Sequence, residues 1–258
     1  MKNNIQLSFV LIFALFLGKT YAQSHVMNLQ GYNEQPYHFG FILGMNTMNF
    51  SVKPIDNLEQ HKWSKEQANL PNADFYSVSA VIASAAPGFS VGILGNLRLL
   101  KYLDMRFIPT LSFGSRTLDY SISATGMAGV PSGTDSAFVV HKKVNSTYLT
   151  FPLLLKYRSW RANNVGAYFL GGINLSIDLA AVKKTKQDLG SGTIILKTHD
   201  IGLEAGAGFD FYTNYFKLGI EAKMIYGLNN LIVNNNDMYS GSISQLRSKV
   251  FMLSFIFE

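Results

Sequence analysis

From Phe216 to Leu228 the chain alternates without a break. The even positions are Phe216, Leu218, Ile220, Ala222, Met224, Tyr226 and Leu228, all apolar. Between them stand Lys217, Gly219, Glu221, Lys223, Ile225 and Gly227. A period of two is that of a β-strand whose two faces meet different surroundings. Ile201–Tyr212 repeats the pattern, with Ile201, Leu203, Ala205, Ala207, Phe209 and Phe211 on one face and Gly202, Glu204, Gly206, Gly208, Asp210 and Tyr212 on the other. A third copy, Ala167–Leu179, carries Tyr168, Gly172, Asn174, Ser176 and Asp178 on its polar side.

The alternation predicts eight strands: Tyr37–Lys53, Gly88–Leu100, Leu103–Ser123, Ala137–Arg158, Val165–Ala180, His199–Tyr212, Phe216–Asn230 and Ser248–Glu258. Soluble sandwiches use strands of about five or six residues; these are twice that length. Their polar face is glycine, asparagine, serine and isolated charges. The connections Lys101-Tyr102, Ser159–Asn164 and Thr213–Tyr215 are tight, whereas Pro54–Pro87, Ala124–Ser136, Ala181–Thr198 and Leu231–Arg247 are long. The expected fold is all-β: an eight-stranded antiparallel transmembrane β-barrel with short periplasmic turns and long extracellular loops.

The first residues fit that reading. Lys2 precedes the mostly apolar stretch Ile5–Leu17, and Thr20-Tyr21-Ala22 offers a small-residue cleavage site. This predicts a signal peptide over 1–22, a periplasmic N-terminal segment over 23–36 and the barrel over 37–258. The apolar stretch is too short to cross a bilayer as a helix. Cleavage would leave 20 cations against 16 acids, a net +4. The cations are scattered singly, so nucleic acid is not an expected partner. The expected surroundings are outer-membrane lipid. With no cysteine there is no disulfide framework, thiol nucleophile or lipidated N-terminal cysteine.

Phasing the strands sends Arg98, Arg106, Arg116, Lys156, Lys217 and Lys223 into the lumen with Asp104, Asp178, Glu204, Asp210, Glu221 and Glu258. A ring of eight strands is just wide enough for side chains to fill. Unpaired charges there cost several kcal/mol each. The balanced set predicts a packed ionic core rather than a conduit, locked by Arg106, Arg116, Asp178, Glu204 and Asp210. Catalysis finds little support. His141 and Ser146 stand five residues apart on one strand, so they point to opposite faces about 16 Å apart. His199-Asp200 reads as a strand-end pair, and Asn234–Asp237 as a turn. No metal motif, dinucleotide loop, cofactor or small-molecule substrate is expected.

Three further features bear on the barrel, of which the two prolines resist it. Pro109 and Pro152 fall inside predicted strands, where each removes a ladder hydrogen bond, so bulges are expected. Aromatic girdles are expected from Tyr102, Tyr157, Trp160, Tyr212, Tyr215 and Phe216 at the turn end and from Phe50, Tyr120 and Tyr226 at the loop end. Within the first long loop, Phe75–Ala86 is apolar and β-prone. It either extends the second strand and pairs with Met48–Lys53, or forms a docking edge for another protein through Phe75, Tyr76, Val78, Val81 and Ile82.

Several stretches also resemble the PorT (SprT) outer-membrane proteins. They include Pro87–Ile93, Arg106–Pro109, Phe113–Arg116, Asp119-Tyr120, Ser146–Pro152, Lys156-Tyr157 and Asn163-Asn164. Gly171–Asn174, Asp178-Leu179, Gly206–Tyr212, Tyr215–Lys217, Gly227–Asn230 and Phe257-Glu258 continue the likeness over nearly all of the chain after residue 22. The resemblance implies a non-enzymatic integral barrel of the outer membrane in Bacteroidota, working with other proteins of type IX secretion and, where present, gliding motility. It supplies no catalytic residue. A small barrel for surface adhesion or envelope integrity is the alternative.

Overall fold

The computed structural model describes residues 27–70, 73–126, 136–185 and 193–258; the expected signal peptide lies outside them. Ten strands form one antiparallel sheet: β1 (Tyr37–Pro54), β2 (Trp63–Ser64), β3 (Phe75–Arg98), β4 (Leu103–Phe107), β5 (Thr110–Thr125), β6 (Ser136–Arg158), β7 (Val165–Asp178), β8 (His199–Tyr212), β9 (Lys217–Gly227) and β10 (Ile243–Phe257). From β5 to β10 each strand pairs with its sequence neighbour, and β1 pairs with both β10 (Phe41↔Phe257) and β3 (Tyr37↔Leu97). The sheet therefore closes on itself and the main ring has no free edge. β4 and β5 occupy one position in the ring, both lying between β3 and β6. β2 adds two residues to the top of β3. The result is an eight-stranded barrel.

The two prolines behave differently. Pro109 sits in the break that divides β4 from β5, as the missing donor requires. β6 instead runs straight through Pro152, which pairs in register with Asn174 of β7. The Pro152 carbonyl accepts from Ile108 N at 3.4 Å, so the side of Pro152 that lacks an N–H faces the same break. One interruption serves both prolines, and the expected bulge at Pro152 does not occur.

Two strands are longer than the alternation predicts. β3 begins at Phe75 instead of Gly88, and β10 at Ile243 instead of Ser248. Residues 75–85 do extend the second strand of the ring, but their ladder partner is β5 (Phe75↔Thr125 to Ala85↔Arg116). The ladder to β1 stops at Met48↔Ala86, so Asn49–Lys53 are not their partners. Long loops become strand because the inner residues of this upper wall have apolar neighbours to pack on.

Those neighbours come from the loops. Helices α1 (Lys65–Ala68) and α3 (Met238–Gly241) and the start of α2 (Leu179–Thr185) turn inward over the loop end of the ring. α1 is started by a capping box between Ser64 and Gln67, and α3 by Asp237, whose carboxylate accepts from Ser240 N at 2.7 Å. Trp63, Leu231, Ile232, Met238 and Tyr239 then bury against Tyr76, Val78, Leu118, Tyr120, Ile122 and Val144. This is an apolar core above the membrane. Below it the outer wall is the apolar surface: Phe39 (72% exposed), Ile93, Phe169, Leu203, Phe209 and Phe251 all face outward. At the turn end Tyr102, Tyr157, Trp160, Tyr215 and Phe216 are exposed as a girdle should be. Tyr212, Phe50 and Tyr120 are buried inside, so they do not belong to a girdle.

Candidate functional site

The inward positions of the turn-end half form a dense layer of ion pairs. Arg106 lies at its centre, fully buried, donating to Glu221 Oε2 at 3.1 Å, Glu258 Oε1 at 2.8 Å and Asn96 Oδ1 at 3.2 Å. Lys217 reaches Glu258 at 2.6 Å and Lys156 reaches Asp210 at 2.6 Å. Lys223 joins Glu204 at 2.9 Å and Glu221 at 3.7 Å; Arg158 joins Asp104 at 2.8 Å. Tyr168 donates to Glu221 Oε2 at 2.9 Å and Asn174 to Glu204 Oε2 at 2.5 Å. Arg106, Lys156, Arg158, Lys217 and Lys223 thus face Asp104, Glu204, Asp210, Glu221 and Glu258, equal numbers of each sign. Extensive hydrogen bonding and charge balance are the conditions under which buried ions are tolerated.

Five lumen residues are singled out by the sequence, and they separate into three roles. Arg106, Glu204 and Asp210 sit in the network. Arg116 lies one layer above it, also fully buried, and is held by hydroxyls: Ser146 Oγ at 2.9 Å, Ser248 Oγ at 3.1 Å and Tyr148. Its guanidinium also stacks 4.1 Å from the Phe50 ring centre. Asp178 faces inward but makes no ion pair among the described residues. Its Oδ1 accepts from Ala180 N at 2.9 Å and Ala181 N at 3.2 Å, starting α2. Beside Tyr148 and Asp200 a cavity of about 20 Å³ remains, room for a single water.

The five residues expected to form a docking edge divide between the two faces of β3, whose alternation shifts by one residue at the bulge between Val78 and Ala80. Tyr76, Val78 and Val81 are buried in the apolar core, where nothing can dock on them. Phe75 (48% exposed) and Ile82 (60%) point outward. Lys62 lies over the Phe75 ring at 5.9 Å. What reading the sequence did not reveal is the lid itself, with Trp63 and Met238–Tyr239. Its signal was scattered apolar residues in long loops, which have no period to detect.

The N-terminal segment also had no pattern to reveal its place. Residues 27–36 close the turn-end mouth: Tyr32 stacks on His38 at 4.0 Å, and Tyr212 donates to Asn33 Oδ1 at 2.9 Å. Arg161 donates to the carbonyls of Asn28 and Leu29. Arg98 is half-buried at this mouth and donates to the Glu34 carbonyl at 2.7 Å, taking no part in the ion network.

The remaining reactive groups are separated from one another. His141 pairs with Asp119 at 2.6 Å on the outer wall, and Ser84 donates to the same carboxylate at 2.7 Å. Those two bonds, His141 first, hold the Asp119 carboxyl below its ordinary range. Ser146 lies across the wall, facing Arg116 inside. Among the described residues no group of His, Asp and Glu is arranged to hold a metal ion.

Several solved outer-membrane proteins are similar in fold. Neisserial surface protein A (NspA) is 14% identical, with 86% of this chain and 99% of that one covered and a TM-score of 0.39. OprG from Pseudomonas aeruginosa is 13% identical (84% and 93% covered, TM-score 0.36). Ail, the attachment invasion locus protein of Yersinia pestis, is 10% identical (86% and 98% covered, TM-score 0.33). No curated protein matches the chain. The closed antiparallel ring, with apolar residues outside and ion pairs inside, agrees with the family match: residues 21–233 fit the model of the outer membrane protein beta-barrel domain, and the chain belongs to that family, a barrel of the outer membrane.

Proposed function

We propose that this chain is a non-enzymatic outer-membrane barrel serving as an accessory component of type IX protein secretion, and of gliding where that occurs. The observation that carries the surface role is the sealed lumen: an ionic network below and an apolar lid above leave no passage for a polypeptide. A barrel that does not conduct acts through its surfaces. The choice of secretion rests on the resemblance to PorT proteins. On this reading a secretion partner docks on the outer side of the β3–β5–β6 wall, where Phe75 and Ile82 protrude.

Deleting the gene in its host and comparing released and surface proteins, with a complemented strain as control, tests the proposal. Broad loss of secreted proteins with precursors held in the periplasm is the expected result. Complementation with Phe75→Ser/Ile82→Asp should then restore the barrel to the membrane without restoring secretion. An unchanged secretome would overturn the role. The upper wall favours one other reading, because it carries polar residues outward well beyond the apolar belt, as a surface for adhesion or envelope integrity would. In that case deletion alters surface binding or detergent sensitivity and leaves secretion intact.

A further inference from the structure

The membrane-facing wall is not uniform. On β8, β9, β10 and β1 the outward side chains Ala205 and Ala222 are small, while Met45, Met224, Phe251 and Leu253 around them are large, and the result is an apolar groove of about 740 Å³. The ladders fix what lies above it. Lys249 and Arg247 follow Phe251 on the same face of β10, two and four residues toward the loop end, roughly 7 and 13 Å higher at the usual strand rise. Lys53 follows on β1.

Lys249 and Arg247 are the two that reach down toward the groove. The Lys249 ammonium lies 5.2 Å over the Phe251 ring, so it leans down toward the apolar floor. Arg247 lies 6.0 Å from the Tyr226 ring. No acid faces outward beside them on these strands, and among the described residues none of the three forms an ion pair. On the β5–β6 wall, by contrast, the outward His141 is matched by Asp119. A protein that balances its buried charges so closely leaves three cations uncompensated above an apolar groove.

We infer that this wall is a binding site for one lipid of the outer leaflet: a phosphate-bearing glycolipid whose acyl chain fills the Ala205–Ala222 groove while its phosphate lies on Arg247 and Lys249. The groove opens where hydrocarbon ends and the cations stand at headgroup height. Arg and Lys suit phosphate as fork and point charge. A second copy of the chain would bring the same three cations against themselves, so the charge favours lipid as the occupant. The inference does not rest on the secretion reading, because a variant could lose the lipid and still export proteins.

The test is co-purification of the full chain from outer membranes in mild detergent, with bound lipid A counted by native mass spectrometry. Arg247→Gln/Lys249→Gln removes the charges, and Ala222→Phe fills the groove. Heat-modifiable migration confirms that each variant folds. The charge variant should retain roughly 25-fold less lipid A than the parent, each surface cation being worth about a factor of five toward an anionic headgroup, and Ala222→Phe should also lose most of it. Nanodiscs of phosphatidylethanolamine doped with diphosphorylated lipid A should load the protein, and discs doped with the dephosphorylated form should not. Equal retention by parent and folded variants would overturn the site. So would a loss confined to the charge variant, which indicates diffuse attraction, or complete displacement by millimolar inorganic phosphate, which indicates an anion site with no acyl component. If Ala222→Phe abolishes a crosslinked dimer and leaves lipid in place, the groove belongs to a second copy and the lipid assignment fails.

Discussion

The lower and upper halves of the ring use one backbone pattern with opposite contents. In β5 the inward side chains run Thr110, Ser112 and Arg116, then change to Leu118, Tyr120, Ile122 and Ala124. The outward ones run Leu111 and Phe113, then change to Thr117, Asp119, Ser121 and Ser123. β6 does the same in reverse order: Arg158, Lys156, Thr150 and Ser146 give way inside to Val144, while Leu153 and Phe151 give way outside to Asn145, Lys143 and His141. Within these two strands the alternation never breaks. What changes is the solvent, hydrocarbon below and water above, so the side that must be apolar moves from outside to inside.

The lower half should break most severely, because its core is made of charges. Arg106→Met leaves Glu221 buried without its main partner and Glu258 with Lys217 alone, a loss on the order of 3–5 kcal/mol. Urea unfolding followed by heat-modifiable migration should show the midpoint fall sharply. The triple variant Arg106→Met/Glu221→Gln/Glu258→Gln should recover part of it, since neutral groups can be buried without partners of opposite charge. A single variant as stable as the parent would mean that the network is dispensable.

In the upper half the largest cut is Tyr120→Ala, which removes a fully buried ring packed edge-on to Tyr239 and a hydroxyl donating to the Tyr239 carbonyl at 3.0 Å. Core truncations of this size cost roughly 3 kcal/mol. The loss is expected to be local: trypsin should cut the loops around Trp63 and Met238 while the ring below stays intact and heat-modifiable. If the whole barrel unfolds at the same urea concentration as the loops, the two halves are one cooperative unit and the comparison loses its meaning.

The boundary between the halves can be located on β6 alone. Leu153→Arg and Asn145→Arg place the same cation on the same outward face, eight residues apart. At the lipid-facing position the cost should be about 2–4 kcal/mol, and at the upper one about 0–1 kcal/mol. Equal costs would remove the assignment of Leu153 to lipid.

These halves were unequally legible in the sequence. Lys217, Gly219, Glu221 and Lys223 stand at every second position, so the lower strands and the inward direction of their charges follow from period alone. The same reading could not tell that Asp178 caps a helix, because that depends on a turn after the strand which alternation does not encode. It placed Tyr76, Val78 and Val81 with Phe75 and Ile82 on one docking edge, because an apolar run is continuous in sequence and is divided only when a wall separates its two sides. The change in β5 between Arg116 and Leu118 was visible in principle. Recognising it requires asking of each strand whether its apolar side stays the same, and the strand pattern by itself does not prompt that question.

The smallest effect tests whether the upper wall behaves as ordinary water-exposed sheet. Asp119 keeps its carboxyl below the usual range through His141 and Ser84. A carboxyl depressed on folding adds stability that is fully present above its unfolded value, about 3.9, and that is lost as pH falls through the folded value. The pair is partly exposed, so its worth is below about 1 kcal/mol. Hydrogen exchange of the β5–β6 amides near Asp119, corrected for intrinsic rate, should therefore show slightly less protection at pH 3 than at pH 7. Asp119→Asn should narrow that difference while leaving amides beside the ionic network unchanged. A variant with the full pH difference would assign it to other carboxylates, and the outer wall would then owe nothing to this pair.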